Sequence, residues 1–363
     1  MRKGLAIFLL AGRIFAQPPS SFDVLITGGR VVDGTGAPWF RADVGIRGDH
    51  IAAIGRLDGA EAPLRLDARR LTVAPGFIDI HTHARRGIFH TPTAENYVRQ
   101  GVTTLVEGQD GSSPLPLGEF LRRVAALPPA VIFAMLVGQG SIREAVMGRE
   151  NRPATAHEIE RMKQLVRQAM QEGAFGLSTG LFYVPGNYTP TEEIIELARE
   201  AGRLGGIHIS HMRDEAAGIL DSVRETIRIG EEGGLPTQIT HHKIIGATNW
   251  GRSRDTLRLV EEARARGVDV TIDQYPYTAS STATSALIPQ WAQAGGRQAM
   301  LERLRDPALR AKVRAEIVKR ILEDRGGGHP KNVVLANCAF DPSLAGKSLA
   351  ELTQQRGRSA TAE

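Results

Sequence analysis

A chain of 363 residues with 42% hydrophobic and 23% charged side chains has the composition of a globular protein with room for one large α/β domain and accessory elements. The formal net charge of +5 is small for this length, and no block of Lys and Arg interleaves with aromatic residues, which argues against a nucleic-acid partner. A single cysteine, Cys338, excludes an intramolecular disulfide and any cysteine-cluster metal site, so a bound metal would draw on His and carboxylate ligands.

Residues 1–16 read as an export signal. Arg2 and Lys3 form a positive end, Leu5 to Ala11 a short apolar run, and Ile14-Phe15-Ala16 before Gln17 a small-residue cleavage site that Arg13 interrupts. The apolar run is too short to span a bilayer. This reading predicts a periplasmic or secreted protein with no stable membrane span. Residues 22–75 read as a small, incomplete β-sandwich module. Its β-branched runs Asp23–Thr27, Arg30–Asp33, Ala42–Ile46 and His50–Ile54 are punctuated by Gly28-Gly29, Gly34, Gly36 and Gly48-Asp49 as turns.

From residue 76 strands and helices alternate. Candidate strands are 76–83, 102–108, 131–138, 175–180, 206–212, 237–243 and 269–277. Thr155-x-x-Glu158 is a capping-box pattern before Ile159, Met162, Leu165, Val166 and Ala169. Pro190, with Thr189 and Glu192, opens another helix whose apolar positions are Ile194, Ile195, Leu197, Ala198 and Ala201. Repeated βα units over residues 76–284 predict a (β/α)8 TIM-type barrel rather than an open sheet. After Tyr277 the rhythm breaks. Residues 285–350 read as a charged helical insertion over the barrel mouth, with one short strand at Val333–Ala336 and a short helix at Leu349–Gln355.

Barrel active sites gather at the C-terminal ends of the strands. Those ends carry His81 and His83, then Glu107 and Asp110, then His211 and Arg213, then His241, His242 and Lys243, and last Asp273, Tyr275 and Tyr277. Any one of them alone reads as a solvated or packed polar residue. His and carboxylate groups at so many strand ends together predict a metal site. On a strand, residues two apart share a face, which pairs His81 with His83 and His241 with Lys243 and turns His242 away.

Pro75-Gly76-Phe77-Ile78-Asp79-Ile80-His81-Thr82-His83 resembles the first-strand motif of the amidohydrolase superfamily. The stretches Gly176–Gly186, Ser210–Glu215, Thr240–Lys243 and Asp273–Ala279 resemble D-aminoacylases, the N-acyl-D-amino-acid deacylases, and the resemblance covers residues 22–355. It implies zinc-dependent hydrolysis of the amide bond of a small N-acyl-D-amino acid, giving a carboxylate and a free D-amino acid. His211 and His241 would hold a tightly bound zinc, and His81 and His83 would line a second, weaker position. Lys243, Tyr275 and Ser281 would hold the substrate's α-carboxylate. Where the family commonly has a cysteine ligand, this chain offers Asp110, with Glu107 as the alternative. The strand ending Gly176–Gly180 has no lysine, which argues against the bridged two-metal type found in other amidohydrolases such as dihydroorotases and isoaspartyl dipeptidases. The family's catalytic aspartate ends an eighth strand and is followed by an arginine. No such strand is read here, and Asp341 in Phe340-Asp341-Pro342 reads as a turn residue. The chain therefore reads as truncated, with its general-base aspartate missing, and an inactive fragment is the remaining rival reading. Oligomeric state is not legible.

Overall fold

The computed structural model describes residues 21–362, so the export-signal reading of residues 1–16 lies outside the described residues. Among the described residues no helix is long and apolar enough to cross a membrane. The chain divides after Phe77 into two compact units.

The first unit is a single sheet of β1 (Val24–Val31), β2 (Phe40–Arg47), β3 (His50–Gly55), β4 (Leu64–Asp67) and β5 (Thr72–Val73). Its order is β3-β2-β1-β4, with β5 also paired to β1. Gly28-Gly29 is not the turn that the sequence reading placed there. It is a bulge inside β1, where the register against β2 shifts between Ile26 and Gly29. Gly28 adopts φ +68°, and its N–H donates to Asp43 Oδ1 at 2.7 Å. The positive φ, which glycine adopts without a Cβ penalty, lets one strand continue through a kink instead of reversing. The described residues of this unit form one layer rather than two.

The second unit carries β6 (Phe77–Asp79), β7 (Val102–Glu107), β8 (Ile132–Gly138), β9 (Ala174–Gly180), β10 (Ile207–His211), β11 (Thr237–Ile239) and β12 (Val270–Ile272). These seven strands lie side by side in chain order, and the registered pairs from β7 to β12 are parallel. This is the barrel sheet, with β6 and β12 at its edges among the described residues. The helices between the strands include α1 (Glu95–Val98), α2 (Leu117–Ala126), α3 (Gln139–Met147), α4 (Ala156–Gln171), α5 (Thr191–Arg203), α6 (Ile219–Gly233) and α7 (Ser253–Ala265). The Thr155–Glu158 capping box is formed in both directions at the start of α4, and Pro190 sits at the N-cap of α5. Met162, Val166 and Ala169 of α4 and Ile194, Leu197 and Ala201 of α5 pack on Met135, Val137 and Leu177 of the sheet. Each large apolar side chain fully buried there contributes about 1.5–3 kcal/mol.

Three strands are shorter than the sequence pattern suggests: β6, β11 and β12 have 3 residues each. At the ends of β6 and β11 a side chain captures the backbone. Asp79 Oδ1 accepts from the His81 N–H at 3.2 Å, and Asp273 Oδ1 accepts from the His241 N–H at 2.5 Å. Consequently His81, His83, His241, Lys243, Tyr275 and Tyr277 stand on loops beyond the strand ends, and strand alternation does not govern where they point. Beyond β12 come α8 (Gln290–Gln293), α9 (Gly296–Arg305), α10 (Pro307–Glu323) and α11 (Leu349–Gln355). Val334 makes only an isolated bridge to Ser348, so Val333–Ala336 is not a strand of the barrel. Asp341 accepts from Ser343 N–H and Oγ, which is a turn cap.

Candidate metal centre

Asp110 lies on the loop that leaves β7, and the ends of β8 and β9 are shaped to receive that loop. Ser178 in β9 ties it at two points: its hydroxyl donates to the Gly108 carbonyl and accepts from the Gly111 N–H. A Cβ at Gly138 would stand 2.5 Å from Gly111 backbone atoms, and one at Gly180 would collide with the Asp110 carbonyl. Both glycines therefore permit a close approach of backbone to backbone. Asp110 itself has φ +57°, a left-handed conformation that a short polar residue tolerates better than most. On the same loop Gln109 Nε2 donates to the Ile80 carbonyl at 2.7 Å, joining this segment to the one that carries His81 and His83.

Four imidazoles converge on the Asp110 carboxylate. His81 Nε2 is 3.6 Å, His211 Nδ1 3.4 Å and His241 Nε2 3.7 Å from Oδ1, and His83 Nε2 is 3.2 Å from Oδ2. His211 Nδ1 and His241 Nε2 are 2.7 Å apart. Two ligand groups share Asp110: His81 with His83, and His211 with His241. His211 ends β10 and is buried, whereas His241 follows β11 with φ +37°.

The electrostatics of the cluster call for positive charge at its centre. Burial opposes the charge on Asp110, yet its contacts with His211, His241, His81 and His83 hold its carboxyl well below the usual range. Burial also disfavours protonated His241, but the Asp110 and Glu215 carboxylates raise it to about 9. Burial keeps the His211 imidazole below its ordinary value. Asp110 Oδ1, His81 Nδ1 and His211 Nε2 are buried without a hydrogen-bond partner. An acceptor oxygen left orphaned among ring nitrogens is what a divalent cation would satisfy, and imidazole with carboxylate is a zinc-type donor set.

Around the cluster, Glu215 Oε1 lies 3.0 Å from His241 Nδ1 and 2.5 Å from Lys243 Nζ. With Nδ1–H donated to Glu215, the Nε2 lone pair of His241 faces the cluster. Burial would raise Glu215, but His211, His241 and Lys243 hold it below the ordinary carboxylate range. Glu215 was not singled out by the sequence reading; its one signal is its place four residues after His211 in the Ser210–Glu215 stretch. Asp273 fixes the next turn: its side chain takes the His241 N–H and its carbonyl takes the His242 N–H at 2.8 Å. His242 points elsewhere, with Nε2 at 3.0 Å from Thr256 Oγ1. Glu107 stands apart from both ligand groups. It is fully buried, accepts from Thr82 Oγ1 at 2.7 Å and pairs with Arg85 at 3.3 Å, so its oxygens are already committed. Lys243, Tyr275 and Ser281 line one cavity of about 1120 Å3 that also reaches His241.

No family model matches the chain. It is 44% identical over 284 residues to D-aminoacylase of Alcaligenes xylosoxydans xylosoxydans, covering 72% of this chain and 58% of that protein. It is 40% identical over 290 residues to N-acyl-D-glutamate deacylase of the same organism, covering 74% and 59%. A solved D-aminoacylase, described for its binuclear metal centre, superposes with TM-score 0.77 at 37% identity over 93% of this chain and 68% of that one. The chain belongs to the D-aminoacylase family. It spans less than two thirds of the length of the two curated relatives. A second family structure, N-acyl-D-glutamate deacylase from Bordetella bronchiseptica complexed with zinc and a phosphonate inhibitor, gives TM-score 0.79 at 33% identity and covers 94% of this chain and 69% of that one.

Proposed function

We propose that the protein hydrolyses the amide bond of N-acyl-D-amino acids with a divalent metal, zinc in the first instance, held by Asp110, His211 and His241 and, at a second position, by His81 and His83. The observation that carries this reading is the Asp110 carboxylate set among four imidazoles with a buried, unsatisfied Oδ1. The D-aminoacylase and N-acyl-D-glutamate deacylase likenesses supply the substrate class, and the zinc complex of the latter supplies the metal.

When bound, such an ion polarises an amide carbonyl and makes water a competent nucleophile near neutral pH. The chain's own residues do the rest. Glu215 fixes the tautomer and orientation of His241. Asp273 holds the backbone of His241 and His242 in the turn that aims the first at the cluster and the second away from it. The cavity beside the cluster has volume for a small acylated amino acid, with Lys243, Tyr275 and Ser281 on its wall. The positive n-region and apolar run before Gln17 support export of the protein to the periplasm or medium.

Zinc-loaded protein is expected to release amino acid from N-acetyl-D-methionine or N-acetyl-D-glutamate and not from the L-enantiomers, and to lose this activity on chelation. Equal rates on both enantiomers, or zinc uptake without hydrolysis of any N-acyl-D-amino acid, would refute the assignment.

A further inference from the structure

His83 is the least enclosed of the four imidazoles. Its side chain is 46% exposed, against 16% for His81, 10% for His241 and 7% for His211. Packing does little to hold this ring, so its place depends on the backbone that carries it. One carboxylate anchors that backbone on both sides. Glu107, the last residue of β7, is fully buried. Its Oε1 accepts from Thr82 Oγ1 at 2.7 Å, just before His83, and its Oε2 accepts from Arg85 Nη1 at 3.3 Å, two residues after it. The Thr82 N–H is also pinned, donating to the Val106 carbonyl at 3.2 Å. Arg85 sits in the single turn Ala84–Arg86 that His83 opens.

Arg85 makes the reciprocal bridge. Its Nη2 donates to Ser112 Oγ at 3.1 Å. Glu107 and Ser112 flank Asp110 in sequence, so one guanidinium spans the Asp110 loop while one carboxylate spans His83. Between the two spans lies the contact of His83 Nε2 with Asp110 Oδ2 at 3.2 Å. A buried ion pair adds little net stability over an apolar filling, and its best attested use is to fix one arrangement of the groups around it. The other ligand group has its own supports. Ser178 ties the Asp110 loop at Gly108 and Gly111, His211 ends β10, and Asp273 holds the His241 backbone. On the reading above that this cluster takes a divalent metal, we propose that Glu107 and Arg85, with Thr82, are positioning residues that set the metal affinity of the His81–His83–Asp110 position. The brace thereby decides whether the protein carries one ion or two.

The test is titration of the metal-free protein with zinc against a competing chelator, which needs no turnover. The wild type is expected to take up zinc in two separable steps. Glu107→Gln, Arg85→Met and Thr82→Val should each weaken the second step about 10- to 100-fold and leave the first within about threefold. Thr82→Ser, which keeps the hydroxyl, and Arg86→Met, on the exposed neighbour, should match the wild type. The double variant Arg85→Met, Glu107→Gln should stay as weak at the second step as either single one, although it leaves no unpaired buried charge. Thr82→Val alters no charge and decides the matter where a charge variant fails to fold. A second step unchanged in the three variants overturns the proposal, as does an equal fall in both steps or a wild type that takes up a single zinc. A double variant restored to wild-type affinity overturns it too, because charge balance and not position would then be what the pair supplies. If the second step responds as expected but no N-acyl-D-amino acid is hydrolysed, the brace stands and the hydrolytic reading fails. If hydrolysis is found and the second step ignores the variants, the brace alone fails.

Discussion

At the scale of single residues, the centre depends on two carboxylates with opposite duties. Asp110 faces the imidazoles directly, whereas Glu215 reaches the cluster only through His241 and Lys243. Removing the Glu215 charge leaves the ligand atoms in place but frees the His241 ring to turn and exchange tautomers. Glu215→Gln is therefore expected to weaken zinc binding about 10- to 100-fold. Titration against a competing chelator measures this, and an affinity equal to wild type would contradict the role. The two carboxylates were not equally legible in the sequence. Asp110 follows a strand of obvious β character and could be found by asking what lies just past the strand end. Glu215 lies four residues past His211, in a stretch with no repeating pattern that could show its side chain returning to the cluster. His241 lies in the cluster and His242 turns to Thr256, and strand alternation is not the reason: β11 ends at Ile239, and a positive φ with an Asp273 hydrogen bond sets the direction of His241.

At the scale of elements, the long βα units were legible because their buried faces are continuous and apolar, as in β8 and in α4 behind its capping box. The short strands were overextended because the sequence alone does not show a backbone N–H being taken by Asp79 or Asp273 instead of the neighbouring strand. The glycines that let the Asp110 loop seat on β8 and β9 were equally invisible, since their role is defined by atoms far away in the chain. The sheet also contains a polar cross-brace with a pH signature. His208 in β10 is fully buried, with Nδ1 2.7 Å from Thr237 Oγ1 in β11 and Nε2 3.0 Å from Thr179 Oγ1 in β9. Burial lowers its pKa from 6.5 to about 3. Above about pH 6.5 the imidazole is neutral in folded and unfolded chains alike, and it adds no pH dependence. Between that value and about 3 only the unfolded chain takes up the proton, so stability falls as pH falls, by up to roughly 1.4 kcal/mol per pH unit. Urea midpoints between pH 7 and pH 4.5 should therefore drop more steeply for the wild type than for His208→Gln. Parallel curves would show that His208 carries no such linkage.

At the scale of the whole molecule, a parallel sheet in chain order gathers at one end residues that lie far apart in sequence. His81 and His83, Asp110 and His241 come from the loops after β6, β7 and β11, and His211 from the last position of β10. The barrel was legible from its rhythm. The cluster was legible as a set of strand ends, but its partition was not. Asp110 is common to both ligand groups, and Glu107, one helical turn's length away in sequence, is spent on Thr82 and Arg85. On the proposed function the cluster would hold zinc with imidazole and carboxylate ligands alone. Zinc K-edge absorption of the zinc-loaded protein reads the ligand shell directly. The expected result is nitrogen and oxygen scatterers at about 2.0–2.2 Å with imidazole outer shells and no sulfur. A sulfur scatterer near 2.3 Å, or a shell without imidazole, would contradict the account.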